Sequence, residues 1–314
     1  MSDTVPRRPL GTSGIDVSVL SLGSWMTFEH IPFEEGVAVM RAARDAGINF
    51  LDDARYDDRT GTAPIPTGYS EVRFGELFRA AGWKRDDVIV ANKLWLEFWP
   101  AETAAAELDN SLQRMGFDYL DLEYCAPPPA GMELGDLVAS VGNLIASGKL
   151  RAWGVLNWTV EQLRDAVRIA SDAGVPPPCA AQLPYNVAFA AMVEDPALVE
   201  RMQSSGIRVV ASAVLAGGAL SGKYRDPSAR GRIAADLQSP QLRRALAAGD
   251  RLCDLAADLG EPPAALAIAF ALSNPHVASV LFGATTPEQV AENLRAVDAA
   301  AALTPAQISS LQEQ

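Results

Sequence analysis

Histidine is the scarcest residue of this 314-residue chain: there are two, His30 and His276. Chemistry that needs an imidazole therefore has few places to sit. Cysteine is nearly as rare, with Cys125, Cys179 and Cys253 odd in number and widely spaced in apolar surroundings. That excludes a disulfide framework and fits reduced thiols of a cytoplasmic protein. No grouping of His, Cys and carboxylates has ligand spacing, so no metal site is expected. Positive charge is short as well: 26 Lys+Arg face 39 Asp+Glu, for a net charge of −13. Such a chain has no surface to neutralise nucleic-acid phosphates or to adhere to an anionic membrane. No uninterrupted apolar run approaches the roughly 18–20 residues that span a bilayer. The opening MSDTVPRRPLG has no apolar stretch of signal-peptide type, so none is expected. Absent too is a G-x-G-x-x-G after the first candidate strand, which argues against an open doubly wound dinucleotide-binding sheet.

What is present is a large apolar reserve. The chain is 49% hydrophobic and 21% charged, enough to bury a core without staples. Eight short apolar runs read as strands, at 18–23, 48–52, 88–93, 119–125, 151–156, 179–183, 207–213 and 278–283. Helical patterns separate them at 34–45, 70–81, 101–115, 134–147, 159–173, 195–205, a pair near 240–273, and 287–299. A terminal helix is expected at 305–313. Thr159 and Thr286 look like N-caps, the second followed by Pro287 and Gln289. Eight strands alternating with helices predict one α/β domain over 1–314, a closed (β/α)8 TIM barrel. The turn-rich stretch 8–17 predicts a hairpin closing the barrel floor. Two long loops, 55–69 and 224–238, are rich in Gly, Pro and charge and should lie near the active end.

In such a barrel the chemistry gathers where strands end. The second strand ends Asp52-Asp53-Ala54-Arg55-Tyr56, the third Asn92-Lys93. Lys93 is one of only four lysines, against 22 arginines, and it ends a core strand, where an ammonium is costly without a purpose. An ammonium beside a phenol favours the phenolate and would make Tyr56 a better acid or base. A carboxylate behind the ammonium would hold it in place. A structural ion pair at the rim is the competing account.

At this point the chain resembles the aldo-keto reductases. GINFLDDA is similar to their GINFFDTA, and RPLGTSGIDVSVLSLGS to their opening hairpin and first strand. MGFDYLDL, GKLRAWGVLNW, AQLPYN, LAGGALSGKY and FGATTPEQVAENL follow in family order, over about residues 8–300. The resemblance implies a (β/α)8 barrel that reduces carbonyls with a nicotinamide cofactor, usually NADPH, with NADH left open here. It implies Asp52 and Lys93 as members of the catalytic tetrad. Tyr56 is the implied tyrosine, at an interval of four from Asp52 where five is usual; Tyr69 is the runner-up. The tetrad histidine is replaced by Ala126. Losing such a donor commonly slows carbonyl chemistry by about 10²–10³. The substrate could then be an imine, an iminium or an activated C=C, with His30 or Tyr124 as a substitute donor for a carbonyl. Alternatively the protein is a nicotinamide-binding regulator with a decayed site.

The resemblance further implies a cofactor groove. Gly283, Ala284, Thr285 and Thr286 would meet an adenosine phosphate at a helix N-terminus, with Gln289 and Asn293 along the same face. Leu215, Gly217, Gly218, Leu220 and Lys223 would cover the pyrophosphate. Asn157 and Gln182 would hold the carboxamide, and Gly23, Ser24 and Ser212 complete the set. Leu156 and Ser212 depart from the family's serine and stacking aromatic residue. The substrate pocket is expected to be aromatic, from Trp25, Phe28, Trp95, Phe98, Trp99 and Trp158, with His30, Tyr124 and Ala126. A small-molecule substrate is the implied partner, and a monomer or small homo-oligomer the implied assembly.

Overall fold

The structure is a computed structural model that describes residues 5–226 and 228–312. Residues 1–4, Pro227 within the second long loop, and Glu313 at the end of the expected terminal helix lie outside the described residues.

A small antiparallel hairpin comes first, β1 (Arg7–Pro9) and β2 (Asp16–Ser18). Next in chain order are β3 (Leu20–Gly23), α1 (Phe33–Asp45), β4 (Phe50–Asp52), α2 (Tyr69–Ala80), β5 (Ile89–Leu94) and α3 (Ala104–Met115). The chain continues through β6 (Leu120–Cys125), α4 (Leu134–Ala146), β7 (Leu150–Leu156), α5 (Val160–Ala173), β8 (Ala180–Pro184) and α6 (Pro196–Ser205). It ends with β9 (Arg208–Ser212), α7 (Pro240–Leu259), α8 (Pro263–Ser273), β10 (Val277–Phe282), α9 (Pro287–Leu294), α10 (Ala296–Ala302) and α11 (Pro305–Gln312). Strands β3 to β10 close in sequence order into a parallel barrel, with β10 pairing back onto β3.

The apolar runs do not alternate because the strands are buried on both faces. Phe50, Ala91, Leu122, Ala152, Ala180 and Val210 fill the interior. Their neighbours Leu51, Val90, Trp153, Ala181 and Val209 pack outward under the helices. Helix α8 is buried all round from Ala265 to Leu272, as a helix apolar on every side must be. The hairpin delivers Leu10, Ile15 and Val17 into the interior cluster and so plugs the floor, as expected. Each such side chain contributes about 1.5–3 kcal/mol by burial.

The caps fall where the sequence places them. Thr159 forms a capping box with Gln162, and Thr286 Oγ1 accepts the Gln289 N–H at 3.3 Å. The expected single helix over 287–299 is instead two, because the chain turns at Arg295, whose guanidinium donates to the Gly260 carbonyl at 2.8 Å. Among the described residues, no single helix is long and apolar enough to cross a membrane.

Candidate active site

One end of the barrel carries the backbone strain. Five non-glycine residues adopt left-handed φ: Met26, Leu96, Asn157, Ala213 and Ala216. All five follow the C-terminal ends of barrel strands (β3, β5, β7 and β9). Each such conformation costs on the order of 1–3 kcal/mol, and such strain clusters at functional sites.

Below these loops lies a buried polar network. Asp52 ends β4 and Lys93 lies near the end of β5, both 3% exposed at the side chain. Lys93 Nζ is bonded to Asp52 Oδ1 and donates to the Asp53 carbonyl at 3.1 Å. Gln182 of β8 donates from across the barrel to Asp52 Oδ2 at 2.9 Å. The expected holding of Lys93 by a carboxylate is therefore observed. Gln182, expected to be free for a carboxamide, spends its amide N–H on Asp52.

Three aromatic rings stand over this network. Tyr56 lies between Trp25 and Trp95, with ring centroids 6.5 and 6.4 Å away. Arg232, from the second long loop, stacks its guanidinium 4.6 Å from the Trp25 ring centre and donates to the Trp25 carbonyl at 2.7 Å. The Tyr56 phenol is pushed well above the ordinary tyrosine value, first by burial and then by the charges of Asp52, Asp53 and Glu29; Arg232 opposes them. The direction is opposite to that expected of a phenol beside Lys93. The ammonium is committed to Asp52, and the carboxylates around the ring outweigh it. Tyr69 opens α2 outside the aromatic trio.

Several expected pocket residues lie elsewhere. Trp158 is 2% exposed and packs edge-on to Trp153 in the layer between barrel and helices, its indole N–H donated to the Cys125 carbonyl at 2.9 Å. Phe28 is likewise buried in that outer layer. Tyr124 is fully buried inside the barrel. A Cβ on Gly154 would approach its ring to 3.0 Å, so glycine there makes the room. Lys93 Nζ lies 5.7 Å from that ring centre, and Tyr124 is the register partner of Lys93 on β6, fully enclosed beside the network. His30 is exposed in a short 3-10 turn after β3, where it makes no side-chain hydrogen bond among the described residues. Trp99 covers Gly131 at the rim, and Phe98 carries the Arg55 guanidinium 4.9 Å from its ring centre. Ala126 is 9% exposed, its N–H donated to the Leu94 carbonyl at 2.9 Å.

The residues expected to hold a cofactor follow β9, β10 and β7 at the same end of the barrel. Gly217 and Gly218 have φ of 67° and 95°, which glycine tolerates best. A Cβ on Gly217 would lie 2.7 Å from Ile233, so the second long loop rests on this turn. Lys223 extends over Gly218 and is exposed, whereas Leu220 is fully buried and cannot offer a side chain. The reason is packing: Leu220 anchors the turn in the core. Leu215 packs partly buried against the same core, and Ser212, at the end of β9, is half-buried. After β10, Thr285 donates both N–H (2.8 Å) and O–H (3.2 Å) to Gln289 Oε1. Gly283 is exposed beside them, and Ala284 and Asn293 are buried. Asn157 is exposed at the end of β7. Ser24 is 1% exposed and bonds Asp53, so its hydroxyl is already engaged. Gly23 pairs with Asp52 in the barrel and lies against Leu281.

Two supports went unnoticed in the sequence. Glu107 of α3 is 2% exposed and accepts the N–H groups of Trp95 and Leu96, each at 2.9 Å, and the Arg55 guanidinium at 3.3 Å. Arg55 also reaches Glu97 at 2.5 Å. One buried carboxylate thus ties the segment carrying Tyr56 to the one carrying Trp95. Its sequence signal was available, because Glu107 falls on the buried stripe of α3 with Ala104, Leu108, Ser111 and Leu112.

A sequence model of the aldo/keto reductase family matches residues 19–314. An Oryza sativa subsp. japonica protein named "probable voltage-gated potassium channel subunit beta" is 33% identical, covering 97% of this chain and 95% of the relative. An Arabidopsis thaliana protein of the same name is 30% identical over 98% of this chain and 95% of its own.

Proposed function

The chain belongs to the aldo/keto reductase family, and from that premise we propose a nicotinamide-dependent reductase in which Tyr56 is the proton donor. One observation carries the reading: a buried Lys93–Asp52–Gln182 network at the strand ends, below a neutral phenol in an aromatic mouth.

The groove has the donor set a dinucleotide needs. The left-handed turn at Gly217 and Gly218 brings backbone and Lys223 to one side. Thr285, Thr286 and the α9 N-terminus offer donors on the other. We assign Gly217, Gly218, Lys223, Gly283, Thr285, Thr286, Gln289 and Asn157 to holding the cofactor, NADPH or NADH; no Lys or Arg occurs in 283–293 to select a 2′-phosphate. Bound there, a reduced nicotinamide supplies a hydride to an unsaturated carbon.

The chain's own residues manage the proton and the charge. Burial and three carboxylates keep the proton on Tyr56 at rest. An alkoxide is more basic still, so the phenol yields its proton once negative charge develops on the substrate oxygen. Lys93, fixed by Asp52 and the Asp53 carbonyl, keeps a positive charge in the mouth that favours that development. Trp25 and Trp95 flank Tyr56 and give it an aromatic surround.

Rapid mixing of cofactor-loaded protein with aldehydes, ketones, cyclic imines and enones tests the proposal. Loss of reduced-nicotinamide absorbance with at least one class is expected. Tight cofactor binding with no oxidation by any of them would refute it. That refuting result would favour a second reading, a nicotinamide-binding regulatory subunit, which Ala126 and the names of the two plant relatives support.

A further inference from the structure

Ala126 leaves the site short of a hydrogen-bond donor, and the structure holds an unused one beside Tyr56. Two other buried indole N–H groups are satisfied: Trp153 donates to the Pro176 carbonyl at 2.7 Å and Trp158 to the Cys125 carbonyl at 2.9 Å. The Trp95 Nε1–H is buried and finds no acceptor among the described residues. Trp83 shares that condition, but it stacks on Phe78 in the helix layer, 6.2 Å between ring centres. A buried N–H left unpaired costs about 1–3 kcal/mol, so each case calls for a reason.

Trp95 is placed as a donor would have to be. It is the first residue after β5, two residues beyond Lys93. Its ring packs with the interior cluster and stands edge-on to Tyr56. It is also held firmly. Glu107 takes the Trp95 and Leu96 N–H groups, Leu96 is locked at φ 58°, and Arg55, the residue next to Tyr56, donates to Glu107. Strain and a buried carboxylate are thus spent on fixing the backbone at this one indole.

We propose that the Trp95 indole N–H is the second donor to the substrate oxygen, doing from β5 what the side chain at Ala126 cannot do from β6. The substrate class that follows has an acceptor lone pair on the reacting group, as a carbonyl oxygen does and an iminium nitrogen does not; a carbonyl is the one proposed. Its oxygen sits between the Tyr56 hydroxyl and Trp95 Nε1, and its carbon faces the hydride. Trp25, 45% exposed, is the opposite wall of the mouth. The inference rests on the reductase reading above.

The test uses the full chain with Trp95 replaced by benzothienylalanine, an isostere in which sulfur stands for N–H, and in parallel Trp95→Phe. Single-turnover oxidation of bound NADPH by an aldehyde, NADPH Kd by fluorescence, and Tm are measured for each. A loss of about 10²-fold in rate, with Kd and Tm unchanged in the isostere, is expected. A rate within about threefold of wild type in the isostere would overturn the proposal. So would a loss matched by weaker NADPH binding or a lower Tm, which marks a structural role. If the unaltered protein binds NADPH yet reduces no aldehyde, ketone, cyclic imine or enone, the reductase reading itself falls, and this inference with it; reduction of cyclic imines alone would overturn this inference and leave that reading standing.

Discussion

Replacing Lys93 by methionine keeps the length of the side chain and removes its charge. Both members of the Lys93–Asp52 pair are 3% exposed, so water cannot compensate. Asp52 would keep a single side-chain donor, Gln182 at 2.9 Å, and no counter-charge. Breaking a buried pair from one side typically destabilises by about 3–5 kcal/mol. At about 2–4 °C per kcal/mol for large domains, the midpoint should fall by roughly 6–20 °C. Lys93→Met/Asp52→Asn removes both charges and should recover most of that loss. Neither variant should reduce substrate, because the positive charge in the mouth is gone. Urea unfolding and NADPH oxidation, measured on the same preparations, read both effects. A single variant that loses less than about 1 kcal/mol, or a double variant no more stable than the single, would refute the reasoning.

Ala126→His should raise aldehyde reduction by about tenfold or more, because an imidazole there adds a donor at the end of β6; an unchanged rate in steady-state assays would place the substrate oxygen elsewhere. Glu123 is 1% exposed with both carboxylate oxygens unpartnered among the described residues, and burial, then Glu107 and Glu71, push it well above the carboxylate range. A raised folded pKa means its contribution to stability is complete below the unfolded value of about 4.3 and is lost as pH rises toward the folded one, by up to about 1.4 kcal/mol per pH unit. Glu123→Gln should flatten that fall when unfolding free energy is measured between pH 5 and 8; an unchanged slope would contradict it. The same logic applied to Tyr56 predicts a single-turnover reduction rate that holds level up to about pH 10, the ordinary tyrosine value, and a fall near neutrality would show an acidified phenol.

The barrel was legible because its signals are local. Continuous apolar runs, Thr caps and the floor hairpin each depend on a few adjacent residues. Asp52 and Lys93 were legible for the same reason, since a charge at the end of a core strand is anomalous in one dimension. What misled the reading was orientation. Trp158 and Tyr124 both sit at strand ends, yet one turns outward onto Trp153 and the other inward under Lys93. The state of the Tyr56 phenol was out of reach because Glu29 and Arg232 arrive from separate loops. Arg232 meets Trp25 across more than 200 residues of chain, a contact no short-range pattern encodes.

The most direct test compares Tyr56→Phe with Tyr69→Phe in a single turnover of NADPH with the best carbonyl substrate. If Tyr56 delivers the proton, its variant should retain cofactor binding and lose at least about 10² in rate, while the Tyr69 variant stays near wild type. An active Tyr56→Phe beside an inactive Tyr69→Phe would move the acid to the start of α2 and undo the account.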